Sequence, residues 1–171
     1  MSDTYISIVP TKIEKGKAAM LAEKFKSKLI TDKIISKDCT PSENVASILV
    51  NNDDKFKSLE NNKLEIVTNR KVFENGGNGL VEITCSKCDF DIIESNWMDA
   101  VEEWYYDSGK DDFRCPNCSN QTSITEYLFN PQWGFSELGF TFWNWPEFTE
   151  KFVSEIENLL GSKVGIVYGR I

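Results

Sequence analysis

Four cysteines in two C-x-x-C pairs, Cys85 with Cys88 and Cys115 with Cys118, are the residues of this chain whose type and spacing could do chemistry. A C-x-x-C turn aims two sulfurs at one point, and two such turns complete the tetrahedral thiolate shell that zinc prefers. The pattern is C-x2-C-x26-C-x2-C, with a wider gap than a compact four-cysteine ribbon carries. The chain has no histidine, so four sulfurs fill the shell and leave no position open for water. The expected cofactor is one structural zinc ion per chain. Iron in the same cage is the alternative, because ligand type alone does not separate the two metals. A thioredoxin-like redox role for Cys115-Pro-Asn-Cys118 is disfavoured, since a second pair lies within reach and the following SNQTS is not an apolar helix start. Asp89 and Ser119 stand where many zinc knuckles carry glycine. The fifth cysteine, Cys39, reads as an inert small hydrophobe.

Other chemistries are thinly represented. Without histidine, serine triads, cysteine-histidine dyads and histidine-ligated metals are excluded. The glycine cluster at 75–79, NGGNG, lacks the G-K-[S/T] ending of a phosphate loop. Carboxylate pairs leave a hydrolase as an alternative function. The carboxylates are concentrated, however: the formal net charge of -8 lies wholly within residues 89–112, which hold nine acidic side chains against Lys110 alone. A patch of that sign suits a basic protein partner and opposes nucleic acid, whose phosphates need clustered lysine and arginine. A nucleic-acid-binding ribbon remains an alternative only through Lys12–Lys37, which carries eight lysines against three acids. The expected function is therefore that of a non-catalytic protein-binding module, for example an inhibitor or immunity protein. Its expected contact residues are Glu94, Asp99, Glu102, Glu103 and Asp107, joined by Trp143 and Trp145 as an exposed aromatic pair.

These residues need elements to hold them. YISIVP at 5–10 alternates as a strand, and Thr11 with Glu14 forms a capping box for a helix carrying Ile13, Ala18, Leu21, Ala22, Phe25 and Leu29 on one face. Residues 31–63 are polar loop material around a strand at Val45 to Val50, and Leu64 to Asn69 is a further strand. NGGNG reads as a turn joining paired strands and leads into a strand at Leu80 to Thr84. Trp97, Val101, Trp104 and Tyr105 predict a helix over Glu94 to Tyr106, with an aromatic face and an acidic one. After the second pair, Ser123 to Phe129 is followed by a half-buried strand over Gly134 to Trp145. Pro146 opens a helix that Gly161 stops, and Lys163 to Ile171 is a strand.

This order predicts one α+β domain over 1–171, with a largely antiparallel sheet and helices on one face, carrying an inserted zinc-ribbon-like module at 80–122. A split βαβ arrangement satisfies it. The opening residues lack the basic start, apolar run and cleavage site of a secretory signal, so a cytoplasmic location without membrane contact is expected.

From about Val81 onward the chain resembles a family of uncharacterised bacterial proteins of about 170 residues. The resemblance rests on C-S-K-C, N-W-M-D-A at 96–100, C-P-N-C, T-S-I-T-E-Y at 122–127 and N-P-Q-W-G-F at 130–135, with S-D-T-Y-I-S-I-V-P at the start. It implies a zinc-ribbon-containing fold and no established activity. Some members carry a sugar-transporter ATPase label, which the lack of any nucleotide-binding motif contradicts here.

Overall fold

A computed structural model describes residues 2–51 and 54–171. Met1, and Asn52 and Asp53 in the expected polar loop, lie outside the described residues. In chain order the regular elements are β1 (Thr4–Pro10), α1 (Ala18–Thr31), β2 (Leu64–Val67), β3 (Lys71–Phe73), β4 (Glu82–Thr84), α2 (Trp97–Tyr105), β5 (Asp112–Arg114), β6 (Gln121–Ser123), β7 (Leu128–Asn130), β8 (Gly134–Ser136), β9 (Gly139–Trp143), α3 (Glu150–Leu160) and β10 (Val164–Arg170).

The main sheet has the order β10-β1-β9-β2, and every neighbouring pair in it is antiparallel. It follows that β9 and β10 are parallel, flank β1 and are joined through α3. Likewise β1 and β2 are parallel, flank β9 and are joined through α1. Two split βαβ units therefore interlock as βαββαβ, the ferredoxin-like arrangement. One sheet face carries Ile6, Ile8, Leu64, Phe140 and Phe142, and most of these pack with Phe25 and Leu29 of α1 and Phe152 and Ile156 of α3 in the main core. The rings of Phe25 and Phe140 lie 3.9 Å apart.

The second face is covered as well. Val9, Val67 and Val167 meet Phe73 of β3, which pairs with β8. Gly139 admits that ring, since a Cβ there would lie 2.1 Å from Phe73 Cζ. This cover explains a difference from the expected half-buried strand: Gly139–Phe142 is buried on both faces, with Ser7 and Thr141 satisfying each other at 2.8 Å. The expected single strand over Gly134 to Trp145 is two strands, β8 and β9, in different sheets.

The remaining strand pairs are nested. Val67 pairs with Gly139 at the end of β2–β9, and within that closure β3 pairs with β8, β4 with β7 and β5 with β6. The cysteine-bearing segment is thus the inner part of one excursion from the sheet. Its own core gathers Ile83, Ile92, Trp97, Val101, Ile124 and Phe129 with partly buried Val72 and Phe135, a wider reach than 80–122. NGGNG joins β3 to β4, which pair with other strands and not with each other.

Several local expectations give way to tertiary contacts. Helix α1 starts at Ala18, because the Thr11 amide and hydroxyl both donate to the Lys163 carbonyl (2.9 and 3.1 Å) and Glu14 pairs with Lys17. Val45–Ile48 is a 3-10 turn whose Val45 and Ile48 enter the core, and Leu49 bridges to Phe148. The segment after the second pair splits into β6, a 3-10 turn at Ile124–Glu126, and β7. Helix α3 is capped by Thr149, whose hydroxyl accepts from the Phe152 amide at 3.2 Å, so Pro146 lies before the helix. Gly161 ends it in the left-handed region, as expected.

Candidate metal centre

The two cysteine turns have the same hydrogen-bond pattern. In the first, the Cys85 amide donates to the Phe90 carbonyl (3.0 Å) and the Asp89 amide to the Cys85 carbonyl (2.9 Å). In the second, the Cys115 amide donates to Asn120 (2.8 Å) and the Ser119 amide to Cys115 (2.9 Å). Asp89 and Ser119 have φ of 56° and 59°, the left-handed conformation for which glycine is the easy choice. Strand β4 delivers the first turn from one side, and the β5–β6 pair frames the second.

The four sulfurs converge. Cys85 Sγ lies 3.8 Å from Cys118 Sγ, Cys88 Sγ lies 3.7 Å from Cys115 Sγ, and all four fall within 4.8 Å of one another. A tetrahedron with metal–sulfur bonds of about 2.3 Å has edges of about 3.8 Å, so this donor set fits one metal ion. The separations far exceed a disulfide bond of about 2.05 Å, and all the cysteines are free. Cys85 and Cys115 are fully buried, Cys88 is half-buried and Cys118 is exposed, which places the site at the edge of the module core.

Four thiolates this close repel one another unless a cation joins them. The Asn117 side-chain amide donates to Cys88 Sγ at 3.5 Å and, with the Phe90 amide, draws the Cys88 thiol down to about 6. At Cys118 the Asn120 amide also favours the thiolate, but the neighbouring Cys88 and desolvation prevail and push it up to about 12. Tyr127, which donates to the Phe113 carbonyl at 3.2 Å beside the site, is pushed up to about 12 by burial and then by the sulfurs. A bound divalent cation removes the conflict.

Helix α2 packs Trp97, Ala100, Val101 and Trp104 into the module core. Tyr105, expected on that aromatic face, points outward instead, because Ala100 and Trp104 complete the buried stripe and Tyr105 falls beyond it. Arg70, which no sequence signal singled out, fastens the end of the helix. Its guanidinium lies 4.1 Å from the Trp104 ring centroid, donates to the Trp104 carbonyl at 2.5 Å, and pairs with Asp107 (3.3 Å) and Glu137 (3.5 Å).

The other expected contact residues divide. Glu94, Asp99 and Glu102 are exposed, Glu103 is half-buried, and none of these four forms an ion pair among the described residues. Asp107 is exposed but engaged by Arg70. Trp143 is half-buried against Tyr5, with ring centroids 5.1 Å apart, and donates to Glu65 at 3.1 Å. Trp145 is not a surface residue: it is 4 % exposed and donates to the Asn62 carbonyl at 2.7 Å. Strand β9 ends at Trp143 and Asn144 turns at φ 58°, so the alternation that would have exposed Trp145 stops one residue too early.

Comparison with family models, with curated proteins and with solved structures finds no match for this chain. Among the described residues no helix is long and apolar enough to cross a membrane.

Proposed function

We propose that this chain is a non-catalytic protein-binding module, stapled by one structural zinc ion and acting in the cytoplasm on a basic partner, as an inhibitor or immunity protein would. The observation that supports this is the outer face of α2. There Met98, Tyr105 and Tyr106 are 46, 48 and 75 % exposed beside Asp99 and Glu102, whose carboxylates form no ion pair among the described residues. Exposed aromatics give area and a face for a cation, while the carboxylates speed the encounter and reject acidic competitors. The motif resemblance to bacterial proteins without an assigned activity is compatible with such a role. Zinc is the metal of this reading because a closed shell of four thiolates suits a structural ion without redox chemistry, and iron in the same cage is the alternative.

Affinity capture from native cells with the tagged protein tests the reading. The wild type is expected to retain one stoichiometric basic protein, and a Glu102→Lys, Tyr106→Ala double variant to lose it while keeping its metal. Recovery of no stoichiometric protein partner sinks the proposal. Elemental analysis is expected to return about one zinc per chain, and iron with visible absorption would overturn the metal assignment.

A further inference from the structure

The two cysteine turns repeat each other in backbone, yet their sulfurs differ in cover. Cys85 and Cys115, which open the turns, are fully buried. The cysteines that close them are unequal, with Cys88 half-buried and Cys118 exposed. Hydrogen bonds widen the difference. Asn117, the third residue of the second turn, reaches across the site and donates its side-chain amide to Cys88 Sγ at 3.5 Å, where the Phe90 backbone amide also donates. Lys87 holds the corresponding place in the first turn, is exposed, and makes no hydrogen bond or ion pair among the described residues. Cys118 therefore has no such donor from across the site and relies on the Asn120 backbone amide. Donors spread the charge of a thiolate and lower its nucleophilicity, and burial shields it. A bound cation keeps all four sulfurs as thiolates, so the most exposed and least hydrogen-bonded of the outer pair is the one an electrophile reaches.

We propose that Cys118 is an oxidation site, at which a peroxide starts the release of the metal, and that Cys85 is its resolving partner. The proposal rests on the four-thiolate zinc reading above and not on the protein partner. In the first step the Cys118 thiolate attacks one peroxide oxygen. The S–O bond forms, the O–O bond breaks and hydroxide leaves, giving a sulfenic acid on Cys118. In the second step the Cys85 thiolate, whose Sγ lies 3.8 Å from Cys118 Sγ, attacks the oxidised sulfur. The S–S bond forms, the S–O bond breaks and a second hydroxide leaves. Two thiolates have then given up two electrons, and one peroxide has been reduced to two hydroxides. Cys88 and Cys115 alone occupy two of four metal positions, too few to complete the shell. Their sulfurs lie 3.7 Å apart, so a second peroxide closes them by the same two steps. Both disulfides cross from one turn to the other, so the oxidised protein keeps its two turns tied without the metal.

Hydrogen peroxide added to the full, zinc-loaded chain tests this. Metal content is fixed by elemental analysis before any oxidant is added, so that a wrong metal is told apart from a wrong oxidation site. A chromogenic chelator then reads released zinc. In wild type, zinc loss is expected to accompany a fall from five free thiols to three, with Cys85 and Cys118 recovered as one disulfide-linked pair of peptides. Dimedone added with the peroxide is expected to trap the sulfenic acid at Cys118. Cys118→His keeps four ligands in the shell and is expected to hold zinc at peroxide concentrations that empty wild type. Cys39→Ser is expected to release zinc as wild type does. Retention of zinc by wild type while Cys39 is oxidised overturns the proposal, as does first labelling at Cys88. A disulfide within either turn refutes Cys85 as the resolving residue. Should Cys118→His fail to fold, the trapped residue and the disulfide map of wild type decide.

Discussion

Asp89 and Ser119 occupy equivalent left-handed positions in the two cysteine turns, and the cost of that conformation differs between them. An L-residue there pays roughly 1–2 kcal/mol, less for aspartate, whose short polar chain tolerates the region. Glycine relieves the strain but adds freedom to the unfolded chain. Ser119→Gly is therefore expected to raise stability slightly, Asp89→Gly to leave it within about 0.5 kcal/mol of wild type, and Ser119→Val to lower it. Thermal melts of the metal-loaded protein check all three. Arg70 is a residue of another kind, serving three partners at the end of α2. Removing it uncovers the Trp104 ring and frees its carbonyl, so Arg70→Ala is expected to destabilise by about 2 kcal/mol without loss of metal. Lysine should restore only part of this, because an ammonium cannot form the planar fork. Denaturant titration of the three proteins measures it.

At the level of elements, the metal and the main sheet depend on different contacts. The main core contains no side chain from the cysteine turns, while Cys85 and Cys115 lie inside the module core. Chelation, or Cys85→Ser or Cys115→Ser, is thus expected to unfold α2 and β5–β6 and to leave β1, β9 and β10 ordered. Amide exchange would show protection lost at Val101 and kept at Ile8, and simultaneous loss at both would refute that independence. Acidification should have the same selective effect, since protons compete with the metal for thiolates. How far these elements are legible in sequence follows from what forms them. Strands β1 and β10, the Gly161 stop and the two cysteine turns announce themselves through alternation, glycine and spacing. The start of α1 does not, because Thr11 bonds to Lys163 across the sheet, and no local pattern contains that partner. Residues 45–48 carry β-branched side chains yet curl, since burying both Val45 and Ile48 in one core requires a turn. Trp145 looked exposed by parity, and parity lapsed at Asn144.

For the whole molecule, the charge division was readable by counting, whereas the topology was not. Strands β3 to β8 are three residues each, too short for a period, and their partners lie far along the chain. Helices on one face of an antiparallel sheet followed from element order, and the interlocked βαββαβ pattern gives that order its geometry. The nesting of β5–β6 within β4–β7, β3–β8 and β2–β9 has a kinetic meaning. Each inner closure brings the next pair of strands together, so the entropy of joining Leu64 to Phe142 need not be met in one long loop. The cysteine turns lie near the tip of this stem, where a metal ion ties its two arms. Metal should then act as a zipper pull for a sheet it never touches. Refolding followed by Trp145 fluorescence and backbone circular dichroism is expected to be faster with zinc present than after chelation, while unfolding of the sheet proceeds at the same rate in both.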